Sequence, residues 1–372
     1  MMSERFPTYD GGYDMAAGTL STERGASIWQ AYHARKPVRV PVRWNVNPRI
    51  VIMDPALNTE GWTFEGFMTD PETLVRVTIR FHEYIAETLS RVSDTSGELP
   101  QTWPVHVATF NTYEGGYFGA PYGEVPRFRP GQVPTSEHFL AEDDVDGFLA
   151  QDYGDPLANA WVRERMAFRE RVAEFCRSFE YRGRKATVGS FAIGGSDGPV
   201  TTAADVFGSD FFALLGAEPE RGVAVLEKIL DEQIRRTETL VRAAGGIPMQ
   251  HSVWFADDSV QLLGSPMFDE IILPLHRKWY AAFDPEWKKP HAIHLCGDAM
   301  RHFPSLRRVC NVTSFDTGFP VDFAWMRRTL GPDTEISGGV PVATIMNGTA
   351  DECHAAARDI LESGIMQGGR FI

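Results

Sequence analysis

Residues 291–318 read HAIHLCGDAMRHFPSLRRVCNVTSFDTG, and the fold is decided there. His291–Leu295 is a short apolar run, Gly297 turns the chain, and a helical stretch follows to about Arg308. Val312–Phe315 is apolar again, so the segment spells strand, helix, strand. A crossover of about 10 residues or more joins parallel strands, whereas antiparallel neighbours need only a tight turn.

The same alternation continues outward. Upstream, a helix after Asp155-Pro156 runs to about Tyr181, followed by a strand from Ala186 to Ile193 and the turn Gly194-Gly195-Ser196-Asp197-Gly198-Pro199. A helix from Pro219 to about Ala244 ends at Gly245-Gly246, a strand covers Ile247–Phe255, and Ser265-Pro266 opens a helix to Phe283. Downstream lie a strand at Glu335–Ser337, a helix from Thr349 to Glu362, and a last strand within Ile365–Ile372. Nearer the start are a helix from Thr22 to His33, a strand at Arg39–Trp44, and a helix opened by Asp70 as cap and Pro71 at its first position. Counting the units gives roughly eight, which favours an α/β fold closed as a single (β/α)8 TIM barrel over residues 21–372. Residues 1–20 read as a flexible N-terminal arm. Catalytic groups then belong at the C-terminal ends of strands.

The chain has 372 residues, 36 basic and 50 acidic, for a net charge of −14. Such a surface repels phosphate backbones, which argues against nucleic-acid binding. No apolar run is long enough for a membrane span, and the start lacks a basic-then-apolar leader. The four cysteines, Cys176, Cys296, Cys310 and Cys353, form no CxxC pair. Cysteines this sparse make no disulfide scaffold, and a cytoplasmic location is expected.

Between Pro100 and Pro134 the chain makes a long excursion rich in glycine, proline and rings: Trp103, Phe110, Tyr113, Tyr117, Phe118 and Tyr122. Long loops of this kind are usually functional. Trp103, Tyr113, Tyr117 and Phe118, together with Trp254, are the candidate substrate-binding residues. A surface flap packed by its own rings is the plainer alternative.

The chemistry concentrates on strand ends. His294 and Cys296 are two apart at the end of a strand, so both point to one face. Imidazole and thiolate are favoured zinc ligands, and a catalytic zinc takes three protein ligands and keeps one position open. Two buried core residues would give the same pattern. His251, Asp257, Asp258 and Asp316 are candidates for completing or supporting the metal, with His251 grouped with the ligands and Asp257, Asp258 and Asp316 with the catalytic groups. Cys310, Cys353 and Cys176 are expected to be structural. The Gly194–Gly198 stretch matches GxSxG in form, but Pro199 follows at once and a tight turn is the better reading. It is neither GxGxxG nor a phosphate-binding loop.

Several segments, taken in order, resemble the uroporphyrinogen decarboxylase superfamily. They are Thr22-Glu23-Arg24 before Pro37-Val38-Arg39-Val40-Pro41, Gly198-Pro199-Val200-Thr201-Thr202-Ala203, Ser265-Pro266-Met267-Phe268 before Leu273-Pro274, His294-Leu295-Cys296-Gly297, and Gly368-Gly369-Arg370-Phe371-Ile372. The resemblance implies a (β/α)8 barrel. The decarboxylase's arginine-rich N-terminal loop is replaced by Arg43-Trp44-Asn45-Val46-Asn47-Pro48-Arg49, and its tyrosine after the GPxTxA segment falls on Asp205. The corrinoid-dependent methyltransferase branch is nearer, because its zinc pattern begins with the HxC that His294 and Cys296 match. That branch implies Zn2+, methylcobalamin or another corrinoid carried by a partner protein, a small methylated substrate, and a chain that can act as a homodimer. The branch's later cysteine ligand would fall past Ile372, so the third ligand is expected to be either absent from this chain or replaced by another group. Two rival readings are a decarboxylase of a porphyrinogen or small acid, using Asp94 or Asp316 to steer protons, and a non-catalytic barrel that binds a tetrapyrrole or corrinoid.

Overall fold

A computed structural model describes residues 23–107, 119–123, 125–135, 138–189, 196–250 and 254–372. These fall into two compact units, one built mainly from Trp44–Ser196 and Thr202–His251, the other from Glu23–Arg43, Asp197–Thr201 and Ser252–Ile372. The strands are β1 (Trp103–Val105), β2 (Glu180–Tyr181), β3 (Arg184–Val188), β4 (Ser196–Asp197), β5 (Trp254–Ala256), β6 (His291–Leu295), β7 (Val312–Thr317) and β8 (Glu335–Ser337).

In the first unit β1 runs parallel to β3, with Trp103 opposite Ala186, and β2 folds back on β3 as a hairpin. The hairpin turn is Arg182-Gly183, with φ of 50° and 70°. Two central residues in left-handed backbone match the twist of the flanking strands, and glycine takes the second position without steric cost. Asp70 accepts a 2.8 Å hydrogen bond from the Thr73 N–H and starts the helix Pro71–Glu87. That helix buries Leu74, Val75, Phe81 and Ile85 in one core with Trp103, Val105, Phe168 and Val172. Each such side chain contributes about 1.5–3 kcal/mol of burial. Two further helices, Asp210–Ala217 and Pro219–Ala243, approach closely: a Cβ on Gly222 would stand 2.8 Å from the Leu215 Cα.

The second unit carries a sheet in the order β4-β5-β6-β7-β8, with β5 through β8 parallel. Along β6, His291, Ile293 and Leu295 are buried while Ala292 and His294 are half-buried. This is the period of two that puts alternate side chains on opposite faces. The helix Ala350–Glu362 begins with a reciprocal box between Thr349 and Glu352. The chain is thus an α/β protein with parallel strand pairing in both sheets.

Several expected elements differ. Arg39–Trp44 is not a strand; Pro37 and Pro41 lack the N–H that a ladder needs. In the stretch expected as a strand from Ile247, Pro248–Gln250 is a 3-10 turn and β5 starts only at Trp254. The helix expected from Ser265 to Phe283 contains a π-turn over Phe268–Ile272. Pro274 offers no N–H to the preceding turn, and the ladder widens ahead of it. At the C-terminus only Phe371 pairs, parallel to Ile336, because Gly368 and Gly369 hold φ of 83° and 67° and keep the approach from being extended. Among the described residues no single helix is long and apolar enough to cross a membrane.

Candidate metal centre

The C-terminal ends of β5, β6 and β7 in the second unit converge on one group of donors. Strand register sets it up: Ala256 lies opposite His294, and His294 opposite Asp316. The His294 Nδ1 is 2.8 Å from Asp316 Oδ2, and its Nε2 is 2.9 Å from Cys296 Sγ. Asp258 lies just past β5, where its Oδ1 accepts the Cys296 N–H at 2.7 Å and stands 3.9 Å from His294 Nε2. Ligand atoms of Asp258, His294 and Cys296 all lie within 4.8 Å of one another, and the three residues are half-buried.

Close backbone approach makes this geometry. A Cβ on Gly318 would stand 2.5 Å from the Cys296 Cα, so only glycine lets the end of β7 lie against the cysteine. Gly297, at φ 74°, turns the chain after Cys296, and the Gln261 carboxamide fills the space where a side chain would begin. Burial disfavours charge on His294, but the hydrogen bonds to Asp316 and Cys296 and their charges outweigh it and raise the imidazole pKa. Burial raises the Asp258 carboxyl, against the pull of His294 and the Cys296 N–H.

The donor set fits a metal of zinc type. One nitrogen, one sulfur and one oxygen donor suit its mixed preference, and three protein ligands leave a position open. Asp316 occupies the ring nitrogen that faces away from the other donors, which fixes the ring and leaves Nε2 as the coordinating atom.

The other expected site residues are distributed unevenly. Asp257, expected among the catalytic groups, is fully buried and committed elsewhere: its Oδ2 is 2.8 Å from His276 Nε2 and its Oδ1 accepts the Thr201 N–H. Trp103, expected over a substrate, is a core residue whose Nε1 donates to the Tyr181 carbonyl at 3.0 Å. Tyr122 packs edge-on against Tyr153, with ring centres 5.0 Å apart. The backbone of Trp254 forms β5, while His251, Tyr113, Tyr117 and Phe118 lie outside the described residues. Cys310 is buried, and burial pushes its thiol up to about 12; Cys176 is likewise pushed up to about 11. Half-buried Cys353 directs its Sγ to the Thr344 carbonyl at 3.5 Å.

Sequence reasoning passed over His276, which reads as one more position on the inner face of a helix. The one available signal for Gly318 was a glycine two positions after the strand-end carboxylate Asp316.

Parallel strands ending in half-buried imidazole, thiol and carboxylate groups define an α/β protein with a metal-competent cluster where such folds place active residues. The chain belongs to the uroporphyrinogen decarboxylase (URO-D) family, whose profile matches residues 168–372. The solved structure of a methyltransferase from Methanosarcina mazei shares the fold, with a TM-score of 0.56 and 16% identity over 93% of this chain and 91% of that one. A comparison with curated proteins finds no match.

Proposed function

We propose that this chain is a zinc-dependent methyltransferase that exchanges a methyl group between a small methylated substrate and a corrinoid carried by a partner protein. The proposal includes closure of the strands into the (β/α)8 barrel expected from the sequence. The observation that carries it is the mutual approach of Asp258, His294 and Cys296 at the strand ends. His294 would bind through Nε2, Cys296 through Sγ and Asp258 through its carboxylate. When bound, zinc activates a thiol acceptor or serves as a Lewis acid toward the methyl donor.

The chain's own residues set the stage for that chemistry. Asp316 holds the His294 ring in one tautomer and orientation. The Cys296 N–H aims the Asp258 carboxylate at the cluster. Half-burial limits water at the donors and strengthens every charge interaction there.

The test is methyl transfer from free methylcobalamin to a small thiol by the zinc-loaded protein. Loss of the methyl–cobalt absorption together with thioether formation is the expected result, and Cys296→Ser abolishes both. No transfer by a zinc-loaded protein in any thiol tried would overturn the reading, and release of carbon dioxide from a porphyrinogen or small acid would put the decarboxylase in its place.

A further inference from the structure

The turn that delivers Asp258 is anchored from behind by groups outside the donor set. Asp257 is fully buried and held on both carboxylate oxygens, by His276 Nε2 and by the Thr201 N–H, each at 2.8 Å. The Thr201 hydroxyl accepts the Ser259 N–H at 3.0 Å, and the Val260 N–H donates back to the Asp257 carbonyl at 3.0 Å. The Val260 carbonyl is met by His302 Nε2 at 3.2 Å. Any side chain at Gly198 would overlap the Asp257 carboxyl, so the segment before Thr201 can close on it only as glycine. Of the residues from Asp257 to Val260, Asp258 is the one whose side chain reaches the cluster.

His276 is an expensive residue in this place. Its ring is fully buried and meets Phe255 and Phe268 edge-on, with centres 4.8 and 5.6 Å away. Its Nδ1 is buried without a hydrogen-bond partner among the described residues. An orphaned polar atom in an apolar shell carries the full penalty of its desolvation. Among the described residues, the one polar contact the ring makes is with Asp257.

Resting on the metal reading above, we infer that His276 is a positioning residue for the metal centre. By holding Asp257 it fixes the backbone from which Asp258 reaches His294 and Cys296, and Thr201 braces the same turn from its other side. A merely structural His–Asp pair would contribute to stability and leave the aim of Asp258 indifferent to its loss.

Cobalt(II) separates the two roles, because its d–d absorption reports ligand number and geometry while the thiolate charge-transfer band reports Cys296 alone. The full chain is titrated with Co2+ against a competing chelator, and melting is followed in parallel. In His276→Phe and Thr201→Val, Co2+ affinity falls about 10–100-fold, the range for lost support of a metal ligand. Their d–d bands shift while the charge-transfer band persists. His276→Gln keeps an N–H that can reach Asp257 and restores most of the affinity. Trp279→Phe, a change in the same core, lowers the melting temperature without moving affinity or spectrum. Should His276→Phe fail to fold, Thr201→Val carries the test. Variants that melt earlier yet bind Co2+ with wild-type affinity and spectrum overturn the inference and leave the metal reading standing. A wild-type chain that binds no cobalt overturns both.

Discussion

In the second unit His294 pairs with Asp316 and His276 with Asp257, each at 2.8 Å. Their side chains are 24% and 15% exposed in the first pair and 0% in the second, so only the first is open to a ligand. The remaining ring nitrogen separates them further. In His294 it faces the Cys296 sulfur and the Asp258 carboxylate; in His276 it faces no partner among the described residues. The distance within such a pair therefore says little about its role. What the second nitrogen meets decides whether the pair presents a ligand or braces the backbone.

The sharpest test of that distinction removes a donor. Cys296→Ser should lower zinc affinity on the order of a thousandfold, about 4 kcal/mol. Cys310→Ser and Cys353→Ser should leave it unchanged, as measured by chelator competition. The pairs themselves come next. Asp316→Asn should cost about 10–100-fold in zinc affinity with little change in melting temperature. Asp257→Ala should weaken metal binding as well, through the turn that carries Asp258, but unlike Asp316→Asn it should also destabilise the fold by about 3–5 kcal/mol, because it strands a buried partner. Equal losses of stability in both variants would erase the distinction. Gly318→Ala tests whether close approach positions the cysteine: a cost of about 1–3 kcal/mol in stability is expected, with weakened metal binding.

His302, which has no hydrogen bond to a carboxylate among the described residues, shows what the carboxylates do. Burial, reinforced by the Arg301 charge, lowers His302 from 6.5 to about 4. The folded state holds it neutral, so its contribution is fully present above about pH 6.5 and is lost as pH falls toward 4, amounting to about 3 kcal/mol at most. Urea unfolding between pH 7 and 4 should show this loss, and His302→Gln should flatten it. The converse case is Asp205 in the first unit, a carboxylate without an imidazole, whose pKa burial raises to about 6. Its contribution is present below about pH 4 and lost as pH rises through 6, so Asp205→Asn should stabilise the chain by about 1 kcal/mol at pH 8 and hardly at all at pH 4. Melts at the two pH values check it.

Much of the second unit was legible because β6 carries a clean alternation and β7 opens on an apolar residue with Phe315 at its centre, and Gly297 and Gly318 mark where each strand stops. His294 and Cys296 could be read as neighbours at a strand end from that pattern, with Asp316 one of several candidates at the other strand ends. The sequence could not distinguish Asp257 from Asp258. Adjacent residues leaving a strand point in opposite directions, and which one turns inward depends on Gly198 and Thr201, far away in the chain. Arg39–Trp44 misled because alternating valines suggested a strand, while flanking prolines removed the ladder's donors. Trp103 belonged to an aromatic-rich stretch that read as a loop. Its ring is held inside the first unit by β1 pairing with β3, a contact between residues some eighty positions apart, as between Trp103 and Ala186.

The central claim is that Asp258, His294 and Cys296 hold a metal, and zinc-dependent protection of Cys296 tests it most directly. The purified chain is loaded with zinc, assayed for bound metal, and treated with an alkylating reagent before and after chelation, with the modified cysteine located by mass spectrometry. The account predicts one zinc per chain, a Cys296 that resists alkylation while zinc is bound, and its modification once zinc is removed. A chain that retains no zinc and is alkylated at Cys296 equally with and without it would contradict the account.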